Sequence, residues 1–247
     1  HMPFYKNKQN HKIAYKSLEG RGLGIIFIHG LNSDMNGLKA LTVERYARKN
    51  NLKFIRFDCR GHGNSEGEFE EFTISDWRKD LLDIIDNVAI GPQILIGSSM
   101  GGWLMMLAAK ARPQRIKGMI GLAAAPDFGK DLYSKLNKKN KKEISTKGIT
   151  KYSSYGFSYY LTKKFFIEAE KNRVLKKSFR YTKPLVLIHG LKDDVVKEDV
   201  PRKILKKITG KNVNIIYLKE SDHRLSSETD LKMIIQSINY IRNIKNS

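Results

Sequence analysis

Apolar residues along this chain follow two rhythms. One consists of short, nearly unbroken runs: "GIIFIHG" (24–30), "KFIRF" (53–57), "QILIG" (93–97), "IKGMIGLAAA" (116–125), "KPLVLIHG" (183–190) and "NVNIIYLK" (212–219). Each is bounded by glycine or polar residues and reads as a strand buried on both faces. The other rhythm has helical spacing. "TISDWRKDLLDIIDNV" (73–88) repeats apolar residues at 77, 81, 84, 85 and 88, and Thr73 with Asp76 forms a capping box at its start. Helices are also expected at 36–50, at 100–112 ending before Pro113, near 198–208 and near 227–243. The opening "FYKNKQNHKIAYKS" reads as two short strands about a polar turn, an N-terminal antiparallel hairpin. Strands alternating with helices predict an α/β fold, a mostly parallel doubly wound sheet covered on both faces.

Residues 127–183 break that rhythm. They carry 11 of the chain's 24 aromatic residues and 16 Lys/Arg against 5 Asp/Glu. The expected organisation is therefore a core of residues 3–126 and 184–247 with a small helical lid insertion at 127–183. The whole chain has 247 residues and a formal net charge of +21, more than half of it in that insertion. Such a balance suits either a lysine-rich solvated surface or weak association with anionic surfaces. No recognisable nucleic-acid motif interleaves the basic residues, so no specific nucleic-acid partner is expected.

A domain of this length buries enough surface for a core without covalent staples. The single Cys59 excludes an internal disulfide framework and fits a reducing, cytoplasmic compartment. His1-Met2 reads as an expression remnant. The basic stretch after it has no apolar core of a secretory signal. The most apolar stretch, 94–109, is interrupted by glycines and too short to span a bilayer.

The chemistry centres on "IGSSMGGWLMM" (96–106), where an apolar run stops at a serine fenced by glycines and resumes at once. Gly97-Ser98-Ser99-Met100-Gly101 is G-x-S-x-G at a predicted strand-to-helix join. There a tight turn lifts the Ser99 hydroxyl above the strand end, at a helix N-terminus. A serine needs a base, and the base needs an orienting group. Of the histidines, His29 and His189 precede glycine at strand ends and read as turn residues, and His62 lies in the "RGHGNS" loop before the serine. His223 follows the last strand, on the edge where loops gather in a doubly wound sheet, and is the expected base. Asp193 in "HGLKDD" is the expected acid, with Asp194 as runner-up and Asp127 as a weaker alternative; Asp222 is expected to point elsewhere. The order Ser, Asp, His is that of α/β-hydrolases. The backbone N–H groups of Leu31 and Met100 are the candidate oxyanion donors.

The stretches "IHGLNSDMNGLKALTVE", "RFDCRGHGNSEG", "GPQILIGSSMGGWLM", "HGLKDDVV" and "SDHRLS" resemble the α/β-hydrolase-fold serine hydrolases. They are similar in particular to the branch of acyl-protein thioesterases that also act as acyl-glucuronide esterases. The resemblance runs from about residue 24 to the end. It implies Ser99 as nucleophile, Asp193 and His223 as its partners, a short lid, and hydrolysis of carboxylic or thiol esters without cofactor or metal. The expected substrate is a small or lipid-like acyl ester, and the expected state a monomer. A peptidase or lactonase on the same fold, or a non-catalytic basic scaffold binding polyanions, are the competing readings.

Overall fold

The computed structural model describes residues 2–244. His1, half of the supposed expression remnant, lies outside the described residues, as do 245–247 at the end of the expected core segment. The chain opens with β1 (Phe4–Lys6), β2 (Lys12–Leu18), β3 (Arg21–Ile28), α1 (Leu38–Lys49), β4 (Leu52–Phe57) and, after a short 3-10 turn at Phe69–Glu71, α2 (Ile74–Asn87). It continues with β5 (Gln93–Ser98), α3 (Met100–Ala111), β6 (Ile116–Leu122), α4 (Gly129–Ser134), α5 (Lys138–Lys147), β7 (Ile149–Ser154), β8 (Phe157–Thr162) and α6 (Lys163–Lys171). The last elements are β9 (Leu185–Gly190), α7 (Val200–Lys207), β10 (Val213–Leu218) and α8 (Glu228–Arg242).

Eight strands form one sheet in the order β1-β2-β4-β3-β5-β6-β9-β10. The first two pairings, β1 with β2 and β2 with β4, are antiparallel; the other five are parallel. The six parallel strands are those read as unbroken apolar runs, and β5 is buried from Gln93 to Gly97 because helices cover both of its faces. On one face α2 and α3 bring Trp77, Leu81, Trp103 and Leu104 against the sheet. On the other, α1 and α8 bring Val43, Ala47, Ile234 and Ile238. The Thr73–Asp76 box is present: the Thr73 backbone N–H donates to Asp76 Oδ2 at 2.8 Å. No described helix is long and apolar enough to cross a membrane.

The segment between β6 and β9 was expected to be helical. It holds α4, α5 and α6, but also the antiparallel hairpin β7–β8, paired from Ile149↔Thr162 to Ser154↔Phe157. β-Branched and aromatic residues on alternate positions and a two-residue Tyr155-Gly156 turn, both residues at positive φ, account for the hairpin. Phe165 and Leu161 are fully buried beneath it, and Tyr159 meets Phe69 edge-on at 5.4 Å between centroids. Asp127 clamps the segment at its start. Its two carboxylate oxygens accept the N–H groups of Val174 and Leu175, each at 2.8 Å, tying the end of the segment back to the end of β6.

Candidate active site

Ser99 stands alone between β5 and α3, at φ 53° and ψ −114°. A non-glycine residue at positive φ is strained by about 1–3 kcal/mol and persists only where its surroundings enforce it. Here they do. The Ser99 N–H donates to the Leu122 carbonyl at 2.9 Å, and its own carbonyl accepts from Gly102 at 2.9 Å and Ala125 at 3.0 Å. A side chain at Gly97 would collide with the carbonyl of Gly101, and one at Gly101 with that of Ile28. The glycines of the motif thus let strand, helix and the neighbouring β3 crowd around one turn.

β3 ends beside this serine. A Cβ placed on Gly30 would lie 3.3 Å from Ser99 Cβ, so Leu31 follows directly at the site. Among the described residues, the N–H groups of Leu31 and Met100 have no hydrogen-bond acceptor. Two buried histidines fix this corner. His29 Nε2 accepts the Cys59 N–H at 3.0 Å, while its Nδ1 donates to the Gly30 carbonyl at 2.7 Å. His62 Nε2 accepts the Asn32 N–H at 3.1 Å, while its Nδ1 donates to the Arg60 carbonyl at 3.1 Å. Their rings lie 4.9 Å apart. Burial, then the neighbouring His29, pushes the His62 pKa down to about 3. Burial lowers His29 as well, so both rings are neutral near pH 7.

Asp193 and His223 follow β9 and β10, at the same sheet edge as Ser99. His223 Nδ1 donates to Asp193 Oδ2 at 2.8 Å, across thirty positions of sequence. The acid is 1% exposed, and its Oδ1 accepts two N–H groups, from Val195 and Val196, each at 2.8 Å. Burial works against the Asp193 charge, but the bonds from His223, Val196 and Val195 outweigh it and hold its pKa below the ordinary carboxylate value. With Nδ1 engaged by Asp193, Nε2 is the ring nitrogen of His223 left to face a reacting group. No hydrogen bond joins Ser99 Oγ to this ring among the described residues.

The other candidates are occupied elsewhere. Asp194 is exposed, and Asp222 caps its own turn by accepting the Arg224 N–H at 3.0 Å. Asp127 is the clamp described above. His189, read as a turn residue, is fully buried. Its Nε2 donates to the Val196 carbonyl at 2.9 Å and lies 3.6 Å from Asp193 Oδ2. It therefore braces the loop carrying the acid, a role that a histidine before glycine at a strand end does not announce. A cavity of about 160 Å³ between α4 and α6 has Asp127, Lys130, Glu170 and Arg173 among its lining and none of Ser99, Asp193 and His223.

A serine forced into a strained strand-to-helix turn at the edge of a parallel sheet defines the class: a serine hydrolase of the α/β-hydrolase fold. Comparison with known proteins agrees. Residues 23–152 match the family model Hydrolase_4, described as serine aminopeptidase S33. The chain is 42% identical over 230 residues to the mitochondrial palmitoyl-protein thioesterase ABHD10 of Bos taurus, covering 92% of this chain and 75% of that protein. It is 41% identical to that of Homo sapiens over the same shares. In structure it superposes on mouse α/β hydrolase domain-containing protein 10 with a TM-score of 0.91 at 38% identity, covering 98% of each chain. The chain belongs to the α/β-hydrolase family that includes the ABHD10 proteins.

Proposed function

We propose that this enzyme hydrolyses acyl-thioesters and carboxylic esters through an acyl-enzyme on Ser99, with long-chain acyl thioesters of protein cysteines as the leading substrate class. Hydrolysis of esters or thioesters by a serine hydrolase agrees with the family. The substrate class is inferred from relatives described as palmitoyl-protein thioesterases. The observation that carries the mechanism is the strained Ser99 turn with two unpartnered N–H groups beside it.

In this reading Ser99 Oγ attacks the acyl carbon while His223 Nε2 takes the hydroxyl proton. The N–H groups of Leu31 and Met100 hold the oxyanion, each worth about 3 kcal/mol in the transition state. The intermediate collapses by breaking the bond from carbon to sulfur or oxygen, and His223 returns its proton to the leaving thiol or alcohol. Water then attacks the acyl-enzyme, giving its proton to His223, and the carboxylic acid departs as Ser99 regains its hydrogen. Asp193 orients the ring and stabilises its charged form. The contact between Ser99 and His223 tightens when substrate binds, as catalytic hydrogen bonds often do. Residues 127–183 act as the lid, and the acyl chain lies along its aromatic underside, where Phe128 meets Trp103 of the core and Phe165 of the lid.

A panel of acyl-thioesters and acyl-esters of graded chain length tests this. The proposal expects kcat/KM to rise with chain length and thioesters to be cleaved at least as fast as esters. Preferential turnover of aminoacyl anilides, the activity named by the family model, would contradict it.

A further inference from the structure

The insertion carries a surface that the chemistry above does not use. Half of the large apolar side chains exposed among the described residues lie in it: Tyr133, Ile149, Tyr155, Phe157, Tyr160 and Ile167. Four of these sit on the β7–β8 hairpin, where Tyr155 is 73% and Phe157 51% exposed. Tyr155 occupies its turn at φ 52°, a position that favours glycine or asparagine, and it spends its ring in solvent. Burial in the fold does not account for an aromatic ring at this tip. Beside Tyr160, on the outward face of the hairpin, its cross-strand partner Lys151 is exposed. Lys151, Lys163 and Lys164 form no ion pair with a carboxylate among the described residues, and the whole insertion holds 16 basic against 5 acidic residues.

The tip also stands next to the candidate site. The Tyr155 hydroxyl donates to the Asp194 carbonyl at 3.4 Å, one residue from the proposed acid. Aromatic rings at the hairpin tip, with unpaired lysines on its outward face and at its base, match the headgroup region of an anionic bilayer, where rings sit at the interface and lysines meet phosphates.

We infer that the β7–β8 hairpin docks the enzyme on anionic lipid surfaces tip first, inserting Tyr155 and Phe157 while Lys151 on its outward face and Lys163 and Lys164 at its base meet the headgroups. The choice of a lipid surface over another polyanion rests on the acyl-hydrolase reading, since membranes are where long acyl chains reside. Exposed Ile149 and Ile167 also favour lipid, whose interfacial acyl region takes up aliphatic side chains.

Co-sedimentation of the intact protein with vesicles tests this without any substrate. The comparison is phosphatidylcholine alone against phosphatidylcholine with about one third phosphatidylglycerol, at about 0.1 M salt. Binding to the anionic vesicles only is expected. The double variant Tyr155→Asn, Phe157→Ser, whose Asn suits the positive φ, should weaken binding at least tenfold; Tyr155→Trp should restore it beside Phe157. Lys151→Gln, Lys163→Gln and Lys164→Gln together should weaken it at least tenfold as well. A cooperative thermal melt and an unchanged far-UV circular dichroism spectrum should show that the tip variant is folded. No binding to anionic vesicles, or binding untouched by the tip variant, overturns the inference. Tip-dependent binding of single-stranded RNA in place of vesicles overturns it too. Vesicle binding that persists in a protein inactive on every acyl substrate would refute the hydrolase reading and leave the surface standing.

Discussion

At the scale of single residues, the acid is the assignment that a substitution separates most cleanly. Asp193 and Asp194 are adjacent, but only Asp193 has its carboxylate buried and bonded to His223. Asp193→Asn is expected to lower kcat by at least about a thousandfold, because the amide no longer stabilises the charged ring. Asp194→Asn should leave it within about threefold. Steady-state kinetics on one ester decide, and the reverse outcome would move the acid to Asp194. His189 acts one step further out, through the Val196 carbonyl and the Asp193 carboxylate. His189→Ala should lower kcat by about tenfold with little change in KM, as expected when a group bracing the acid is lost. A change confined to KM would place His189 in substrate binding instead.

At the scale of elements, the clamp at Asp127 determines how firmly residues 127–183 are held. Two charge-assisted bonds to backbone N–H groups are lost in Asp127→Ala, costing about 2 kcal/mol. Calorimetry should show a Tm lower by roughly 4–8 °C; an unchanged Tm would mean that the aromatic layer alone holds the segment. The same scale shows what was legible in the sequence. The six parallel strands stood out because burial on both faces demands unbroken apolar runs, and α2 because it shows one apolar stripe. The β7–β8 hairpin did not stand out. Its alternation falls between a lysine-rich helix and an amphipathic one, and its turn is Tyr155-Gly156 rather than the usual Asn-Gly. At the candidate site, Ser99 stood out because a strand end followed by a glycine-bounded turn is a local signal, while Asp193 and His223 were read from their places after the last two strands. The bracing roles of His29 and His62 are long-range: their partners Cys59 and Asn32 lie thirty residues away, and only the folded sheet brings them together, while His189 reaches Val196 seven residues on through a loop whose path the sequence does not announce.

For the whole molecule, the buried neutral imidazoles predict a sensitivity to acid. The His62 pKa is about 3 in the fold and near 6.5 in the unfolded chain, so acid protonates the unfolded state first. Its contribution to stability is therefore complete above about pH 6.5 and declines as pH falls toward 3. By pH 4.5 this one ring should account for a loss of about 2–3 kcal/mol. The depressed Asp193 carboxyl adds to the loss only below the ordinary carboxylate range, near pH 4. Asp80, whose pKa burial pushes up to about 7, offsets part of this loss as pH falls, so the ring itself is the readout. An NMR titration should find His62 neutral down to at least about pH 5; a ring that protonates near pH 6.5 would contradict a buried neutral His62.

All of this converges on the serine between β5 and α3. The most direct measurement is covalent labelling of the intact protein by a fluorophosphonate, with the modified residue located by peptide mass spectrometry. One label on Ser99, absent in Ser99→Ala together with a loss of ester turnover of at least about a thousandfold, is the predicted result. Labelling at another residue, or labelling that survives in Ser99→Ala, would contradict it.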